Sequence, residues 1–589
     1  MQNRSALLLC LAALFVAAMA TSSNTFPDKG ASGYFSPRRN NIPNSFDYIV
    51  IGAGAAGCAV AARLSEDSDN KVLLLERGYD TSNALLLDIP RRWDRTTVTP
   101  WDKFSSVDFR NEPVVNWNEA KSRVSTGFGL GGTTLINTMM FVRGHAEDYN
   151  RWVSEYGATG WGWNDVLPYF KKLENNPSKF ASNPSFHGNS GPLHVTPTTE
   201  APSQDNIIVQ AANAYGVPFL ADHNAGSTTG SALGGVAFHD FSIADGLRQN
   251  AYKSYIVPNL NRKNLYVVDS AHVTKINFNK QKRAVSVTWI DKLNGEIVTS
   301  KAKNEIVLSA GGVATPKILQ HSGIGNATLL DSLNIDVISN RPGVGLNLQD
   351  HPITNLGVEN TGLPTYTNNL INTDTYNQWL NNHTGPWSTT GNRIILFLRT
   401  KYQNETGDPR PDVEVIGGGP GPSIRAAMYL LHPKSRGSIL VKSNDPLDDP
   451  IMTANAFTEP RDIQVLCEGL RMLHQIYLKI NPAITINLGP TNLYDDTSCS
   501  AFITGTGTPV VAGPSVVGNT NTGQHFSGTA RIGRSTDNLA VVDARLRVYG
   551  VTGLRVADAS VFPAITGGNT QAPTYMVGEK AAAMILADN

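Results

Sequence analysis

Two polar loops near the C-terminus hold the residues best suited to acid–base chemistry. His525 lies in Q-H-F-S-G-T, a loop of small and polar residues, and Asn569 lies in G-G-N-T-Q-A-P. Histidine is the natural base near neutral pH because its unperturbed pKa permits either protonation state. An asparagine amide can donate or accept a hydrogen bond without changing its charge. The pair could take and steer a substrate proton, although a hydrogen-bonded structural role for His525 stays open from spacing alone.

Other common catalytic patterns are missing from the sequence. It contains no H-E-x-x-H, no cysteine–histidine cluster with metal-ligand spacing and no G-x-S-x-G. Metal-dependent and serine-hydrolase chemistry are therefore not supported. The 589 residues include 49 basic and 49 acidic ones, a balance that does not indicate nucleic acid or an anionic membrane surface as a partner.

A dinucleotide-binding unit near the N-terminus is the first element that must position these loops. Residues 46–51 form an apolar run typical of a strand buried on both faces, and G-x-G-x-x-G follows at Gly52, Gly54 and Gly57. These glycines permit a tight turn, close approach of the backbone to a pyrophosphate and close packing of the helix predicted at 55–64. An ordinary glycine-rich α/β turn is the alternative.

Two further features narrow the kind of dinucleotide site. A second apolar run at 71–75 ends at Glu76, whose carboxylate can accept hydrogen bonds from an adenosine ribose. The chain then lacks the regular strand–helix alternation of nicotinamide-binding domains. It carries instead a second glycine-rich block, G-F-G-L-G-G-T-T at 127–134, whose backbone amides could face a flat or anionic group. A flexible loop is the alternative for this block.

The N-terminus has the three-part pattern of a secretory signal peptide. Residues 1–20 carry Arg4, a continuous apolar run and the small-residue ending A-M-A, with a buried N-terminal helix as the alternative. Residues 21–45, rich in Ser, Asn, Pro and Gly, predict an exposed lead-in. Because no other run approaches the length of a membrane span, the sequence predicts a soluble, secreted protein without a membrane partner.

Cysteine and asparagine patterns agree with export. Cys467 and Cys499 could form a disulfide in an oxidising compartment, whereas Cys58 is expected to be a buried packing residue of the nucleotide-binding helix. Candidate glycosylation sequences lie at Asn326, Asn382 and Asn404.

The rest of the sequence predicts a mixed fold of helices and strands. Helices are expected at 148–156, 163–173, 316–321, 462–480 and 574–586. Strands are expected at 264–278, 284–290, 305–309, 393–399, 412–416, 437–441, 539–542 and 554–556. A region rich in aromatic residues, 353–519, is interpreted as a second, substrate-facing domain. Its aromatic side chains line an apolar pocket or belong to the core; they include Trp379, Trp387, Phe397 and Tyr429.

Together these motifs resemble the glucose–methanol–choline (GMC) flavoprotein oxidoreductases along nearly the whole mature length. The blocks that carry the resemblance are 48–78, 127–144 with GLGGTTLINTMMFVRG, 309–325 with SAGGVATPKILQHSGIG, and the tail from His525 through D-A-S-V-F-P to Asn569. The sequence P-G-V-G-L-N-L-Q-D-H at 342–351 agrees as well.

The resemblance implies FAD in the dinucleotide site and assigns residues to it. Because some members attach FAD through a histidine where this chain has Ile136, noncovalent binding is expected. His525 is implied as the base beside flavin N5 and Asn569 as the second catalytic position. The implied FAD contacts are Gly52, Gly54, Ala55, Ala56, Gly57, Glu76 and Arg77 for the ADP half, Gly132, Thr133 and Asn137 along the pyrophosphate and flavin, the backbone of Val273 at the adenine, and Asp558, Ala559, Asn569 and Thr570 at the ribityl chain and flavin edge.

The implied fold is α/β, or α+β overall. A Rossmann-like FAD-binding domain is predicted from 46–165, 235–352 and 520–589, with an excursion or lid at 166–234. The predicted substrate-binding domain, 353–519, is built on an antiparallel sheet with helices.

The chain departs from the family pattern at two further residues. Thr126 and Phe128 replace basic residues common in relatives, so phosphate contacts there are expected to be weaker or differently made. The cysteine pair lies where plant hydroxynitrile lyases of the family place a disulfide.

The implied reaction is oxidation of an alcohol CH–OH group, with the hydroxyl proton passing to His525 and hydride to flavin N5. Dioxygen is the expected acceptor, giving hydrogen peroxide, because it is available outside the cell. A dehydrogenase using a quinone, a hydroxynitrile lyase acting on a cyanohydrin and a catalytically silent flavoprotein are the alternatives. The substrate is expected to be a small-molecule alcohol, of aromatic or cyanohydrin type if the aromatic side chains line the pocket, and no acidic residue is assigned to a cationic one.

Overall fold

The structure, a computed structural model, describes residues 42–81, 84–91, 106–110, 123–198, 203–359, 371–417, 424–482, 485–487, 493–504 and 520–588. The predicted signal peptide and most of the predicted lead-in lie outside the described residues. The last part of the lead-in is not fully exposed, because Ile42 packs against the core. No described helix combines the length and apolar character needed to cross a membrane.

The strands of the two main sheets are, in chain order, β1 (Ser45–Ile51), β2 (Val72–Leu75), β3 (Gly234–Phe238), β4 (Leu265–Val268), β5 (Ala271–Phe278), β6 (Ala284–Asp291), β7 (Ile297–Leu308), β8 (Pro352–Glu359), β9 (Ile394–Leu398), β10 (Val413–Gly417), β11 (Ile424–Leu430), β12 (Thr485–Asn487), β13 (Thr520–Thr522) and β14 (Leu554–Val556). The longer helices are α1 (Ala55–Leu64), α2 (Ala146–Tyr156), α3 (Trp163–Leu173), α4 (Ser203–Tyr215), α5 (Gly311–His321), α6 (Thr373–Asn382), α7 (Pro460–Leu478), α8 (Asp496–Thr504) and α9 (Gln571–Asp588).

The first sheet has the order β4–β2–β1–β7–β6–β5, with β14 beside β7. Strands β4, β2, β1, β7 and β14 pair in parallel, and β5, β6 and β7 form an antiparallel meander. All four residues of β2 are buried, as expected for a parallel strand covered on both faces. Helix α9 packs against α1 on this sheet. The predicted Rossmann-like α/β domain is confirmed.

Two strand predictions in this region were wrong. The predicted strand 264–278 is two strands, because the chain turns at Ser270, whose φ is +55°. Its first half pairs with β2 and its second half enters the meander. The predicted strand at 539–542 is absent; Val542 makes only isolated bridges, to Ile532 and Val548.

Helix α5 begins earlier than predicted and contains Pro316 in its interior instead of near its first turn. A proline there has no N–H for the carbonyl four residues earlier, on Gly312. The Thr529 hydroxyl donates a 2.7 Å hydrogen bond to that carbonyl. The helix therefore continues through the proline because a distant loop satisfies the freed acceptor.

The second sheet has the order β12–β8–β11–β10–β9–β3, with β13 beside β8, and all these pairs are antiparallel. Alternate residues face opposite sides. Leu396 and Met428 face a core shared with α4 and α7, whereas Phe397 and Tyr429 face a smaller core that contains Met139. The predicted antiparallel sheet with helices is confirmed. The strand predicted at 437–441 lies elsewhere, in a small sheet of Leu346–Leu348, Gly437–Leu440 and Ile451–Thr453.

The sheets cut across the predicted domain limits. Strands β3 and β13 belong to the second sheet, although the predicted FAD-binding segments 235–352 and 520–589 include all of β13 and all of β3 but its first residue. The predicted excursion at 166–234 is not a separate body. Phe170 packs in the core of the first sheet and Ala212 in the core of the second, so hydrophobic burial divides this segment between the domains.

Cys467 and Cys499 form a disulfide that joins α7 to α8, with their Cα atoms 6.0 Å apart. Cys58 is a buried free thiol, as predicted. Reducing the disulfide is expected to lower the free energy of unfolding by about 2–4 kcal/mol, because the bond closes a loop in the unfolded chain. Thermal unfolding with and without reductant measures this effect. Reductant should not affect a Cys467→Ala/Cys499→Ala variant, and an unchanged wild-type transition would contradict the prediction.

Candidate active site

A cavity of about 430 Å³ lies beyond the carboxyl ends of β1, β2 and β7 and is closed on one side by Tyr429 of β11. Its volume is typical of a ligand site, and its position is where parallel α/β sheets bind their ligands. Fifteen of the sixteen residues predicted for the site line this cavity, and only Gly57 does not. Those that do are Gly52, Gly54, Ala55, Ala56, Glu76, Arg77, Gly132, Thr133, Asn137, Val273, His525, Asp558, Ala559, Asn569 and Thr570.

The first glycine motif places the amino end of α1 at the cavity. Gly52 has φ +100°, and a Cβ there would lie 2.4 Å from the Ser309 carbonyl oxygen. A Cβ on Gly57 would lie 1.9 Å from the Gly52 oxygen, so its predicted packing role is confirmed. Gly54 faces open space and gives α1 no side-chain cap. The first N–H groups of the helix are thus available to an anion.

The second glycine block packs against the first and is not a flexible loop. Gly131 donates a 2.9 Å hydrogen bond to the Ala53 carbonyl, and a Cβ on Gly132 would lie 2.7 Å from the Gly54 Cα. Asn137 follows a short helical turn, Gly132–Leu135. Its Oδ1 accepts a 2.9 Å hydrogen bond from Arg248. The Asn137 amide is therefore held in one orientation at the cavity wall.

Charged side chains lie at the end of β2. The Glu76 carboxylate accepts hydrogen bonds from the N–H groups of Ala53 and Gly78, both at 2.9 Å, and burial raises the pKa of Glu76. Arg77 lies over the Phe128 ring, and the Lys292 ammonium lies 4.5 Å from the same ring centroid. Two positive charges thus lie at the turn that carries Phe128. Arg77, after β2, and Lys292, after β6, contribute them.

Asp558 has a structural role that the sequence did not indicate. One carboxylate oxygen accepts hydrogen bonds from the Gly311 N–H at 2.8 Å and from the Thr315 hydroxyl at 2.6 Å. The other accepts from the Ser560 N–H at 2.8 Å. Because both oxygens bind protein donors, Asp558 fixes the start of α5 against the segment that contains Ala559. Its side chain shapes the cavity wall.

The loop that carries His525 is fixed by its backbone. Asp350 accepts hydrogen bonds from the N–H groups of His351 and His525, both at 2.8 Å, and from the Thr522 hydroxyl. Gln524 has φ +61°, and its side chain accepts a 2.7 Å hydrogen bond from the Ser125 N–H. Burial raises the pKa of Asp350 to about 6. These contacts direct the His525 ring into the cavity.

Both nitrogens of the His525 ring have close partners. Nδ1 lies 2.9 Å from Nδ1 of His351, and Nε2 lies 3.2 Å from Nδ2 of Asn569. Burial lowers the pKa of His525 to about 4, and burial together with the neighbouring His525 holds the pKa of His351 well below its usual value. Both rings are thus neutral near pH 7. His525 lines the cavity with its Nε2 beside the Asn569 amide, the position that the base role requires.

A backbone hydrogen bond and a buried ion pair hold the loop that carries Asn569. Gly568 has φ +137°, and the Gly567 N–H donates a 2.8 Å hydrogen bond to Asp148 of α2. Asp148 also forms an ion pair with Arg410 at 3.1 Å. A buried charge pair therefore fixes the turn that presents Asn569 to His525, although the two residues are 44 positions apart.

The structure separates the aromatic residues of the second domain. Tyr429 lines the cavity, and its ring stacks on His525 with centroids 6.0 Å apart. Trp379 and Phe397 are fully buried, and Trp387 does not line the cavity. The core interpretation therefore holds for Trp379 and Phe397, whereas Trp387 is half-buried and fits neither interpretation.

Sequence reasoning missed Asp350 and His351 as residues of the site. Both end the block P-G-V-G-L-N-L-Q-D-H, and the acid–histidine pair there was the one signal that could have indicated them.

The residues present fit FAD. The uncapped amino end of α1 beside glycines suits a pyrophosphate, the end of β2 places Glu76 where a ribose would lie, and the cavity continues to His525. Val273 and His272 line the same cavity. An elongated dinucleotide with a reactive ring at one end matches this succession.

Comparisons with known proteins agree. Residues 46–353 and 433–578 match the N- and C-terminal parts of the GMC oxidoreductase family. The chain is 32% identical to mitochondrial choline dehydrogenase of Mus musculus over 92% of this chain and 89% of that one. It is 31% identical to glucose dehydrogenase (FAD, quinone) of Drosophila melanogaster over 94% of this chain and 89% of that one.

A solved FAD-dependent oxidoreductase from Chaetomium thermophilum superposes with a TM-score of 0.79 at 27% identity, covering 92% of this chain and 99% of that one. Fold, cavity and sequence thus lead to the same result. The chain belongs to the GMC oxidoreductase family, and its cofactor is FAD.

Proposed function

We propose that the chain is a secreted oxidase that converts the CH–OH group of a small alcohol to a carbonyl. The observation that carries the proposal is the pair formed by His525 Nε2 and Asn569 Nδ2, 3.2 Å apart at the cavity wall. A substrate hydroxyl in the cavity, within hydrogen-bond distance of both atoms, could donate its proton to the ring and accept a hydrogen bond from the amide. FAD, when bound, supplies the acceptor for two electrons from the carbinol carbon.

The buried histidine pair supports His525 as the base. The contact between the two Nδ1 atoms needs one donor and one acceptor, since neither ring is charged near neutral pH. A proton on His525 Nδ1 leaves Nε2 free to accept. The ring loses its second proton as pH rises through about 4, so base assistance is present above that pH.

Noncovalent FAD is part of the proposal, because Ile136 offers no nucleophile at the position where some relatives attach the flavin.

Export is supported by the signal-peptide pattern, by the disulfide and by the exposure of all three candidate glycosylation asparagines. Outside the cell dioxygen is the available electron acceptor. A dehydrogenase that passes its electrons to a quinone is the second candidate, because one relative is named glucose dehydrogenase (FAD, quinone).

Anaerobic titration of the purified holoenzyme with a panel of alcohols tests the proposal. The flavin absorbance is expected to bleach and then to return on admission of air, with one hydrogen peroxide per flavin. Bleaching that a quinone reverses but air does not would identify a dehydrogenase. Mandelonitrile assayed beside a benzylic alcohol covers the lyase alternative, since cyanide release without flavin bleaching would contradict oxidation.

A further inference from the structure

A buried carboxyl group lies behind the catalytic pair. Glu414 of β10 is fully buried, and neither of its side-chain oxygens has a hydrogen-bond partner in the described structure. Its cross-strand neighbours are Phe397 and Tyr429, so its side chain lies on the sheet face that Tyr429 presents to the cavity. Leaving a buried carboxyl unpaired is costly, and a chain that retains one at this place needs a reason.

The second observation concerns Asn569. Its Nδ2 faces His525, whereas its Oδ1 is buried and has no hydrogen-bond partner among the described residues. Glu414 Oε2 lies 3.8 Å from the place where a Cβ of Gly568 would be, directly beside Asn569 in the chain. The Asn569 Oδ1, which lacks a donor, and the Glu414 carboxyl, which lacks an acceptor, thus lie close to the same turn.

We propose that Glu414 is the positioning residue of Asn569, and that its neutral carboxyl donates the hydrogen bond which keeps Oδ1 turned away from the substrate and Nδ2 turned toward it. The inference rests on the proposed function only for its effect on turnover. An ionised carboxylate can only accept, so it would favour the opposite amide orientation. The substrate oxygen would then meet Oδ1 and lose its donor.

The surroundings of Glu414 set the pH at which its carboxyl ionises. Burial raises the pKa of Glu414 to about 8. No charge from β9 or from the Gly568 turn opposes this shift, because Phe397, Gly568 and the adjoining Val142 carry none. The residue of β11 paired with Glu414 is Tyr429, a titratable group whose own pKa is raised by burial, by Glu414 and by Asp350. His525 stacks on the far face of Tyr429 and is neutral in this range.

The pH profile of kcat/KM is the first test. The wild-type value is expected to fall above about pH 8, approaching tenfold per pH unit, as Glu414 ionises. Glu414→Gln keeps a donor at every pH and should abolish this decline, whereas Glu414→Leu should lower kcat/KM at all pH values with no inflection. Tyr429→Phe should retain the decline, which separates Glu414 from the tyrosine. Thermal unfolding of each holoenzyme checks that the variants fold.

A spectroscopic test needs no turnover. The infrared difference spectrum of the holoenzyme between about pH 6 and pH 10 should show loss of a carboxylic-acid C=O band together with a shift of the Asn569 amide band, identified by its absence in Asn569→Ala. Both changes should vanish in Glu414→Gln. An alkaline decline that persists in Glu414→Gln, or an acid band that titrates without the amide shift, overturns the inference. Failure of every alcohol to bleach the flavin overturns only the proposed function.

Discussion

Replacing His525 with alanine is expected to leave a folded, yellow protein whose alcohol oxidation is about 10²–10⁴-fold slower. In the proposed reaction the ring accepts the hydroxyl proton at Nε2, while the N–H of residue 525 donates a hydrogen bond to Asp350 that alanine keeps. The rate of anaerobic flavin bleaching by alcohol measures the loss, and flavin absorbance per protein verifies cofactor content.

Added imidazole is the control for the His525→Ala variant. Because the substitution opens space beside Tyr429 and Asn569, a small neutral base should restore part of the bleaching rate in proportion to its concentration. Unchanged turnover in the variant would exclude His525 as the base. Loss of flavin from the variant would show that the residue serves cofactor binding instead.

The second large effect concerns two glycines of the first motif. Gly57→Ala places a methyl group 1.9 Å from the Gly52 oxygen, so α1 must move away from β1, and both the stability of the protein and the binding of FAD should suffer. Gly54→Ala meets no protein atom within 4 Å. Its apoprotein should unfold at the wild-type temperature, because the new methyl group enters only the cavity.

The matched pair separates packing from cofactor contact. An overpacked methyl group costs about 1–3 kcal/mol, which corresponds to about 5- to 150-fold weaker FAD binding for Gly54→Ala. Fluorescence titration of apoprotein with FAD measures this affinity, and calorimetry measures the unfolding temperature. Wild-type FAD affinity in Gly54→Ala would mean that the cofactor does not approach the backbone there.

Local patterns predicted the first βαβ unit almost to the residue, because a buried parallel strand, three spaced glycines and a short helix all favour the same structure. The strand break at Ser270 was not predictable in this way. Serine rarely adopts a positive φ, and the apolar residues on both sides continue the strand pattern across it. The start of α5 was predicted wrongly at Pro316 for a related reason. The hydroxyl that satisfies the Gly312 carbonyl, and so lets the helix include Pro316, comes from Thr529, which is distant in sequence.

The proposed catalytic pair could be named from the sequence, but its setting could not. Resemblance identified His525 and Asn569, and the structure places both at one cavity. The role of His351 depends on a contact between rings 174 positions apart, and that of Glu414 on which face of β10 it occupies. Neither fact is contained in a local pattern, because tertiary pairing decides both.

The closing helix α9 has a consequence for how the protein is made. Its Glu579 binds Arg63 of α1 at 2.9 Å across 516 positions of sequence, and a Cβ on Gly578 would lie 2.6 Å from the Ala56 oxygen. Helix α1 leaves the ribosome long before its partner exists, and Asn569 arrives only with that partner. The cofactor pocket is therefore complete only after residues as far as α9 have been synthesised. Stable retention of FAD must await that helix, and the first βαβ unit lacks its packing partner until then.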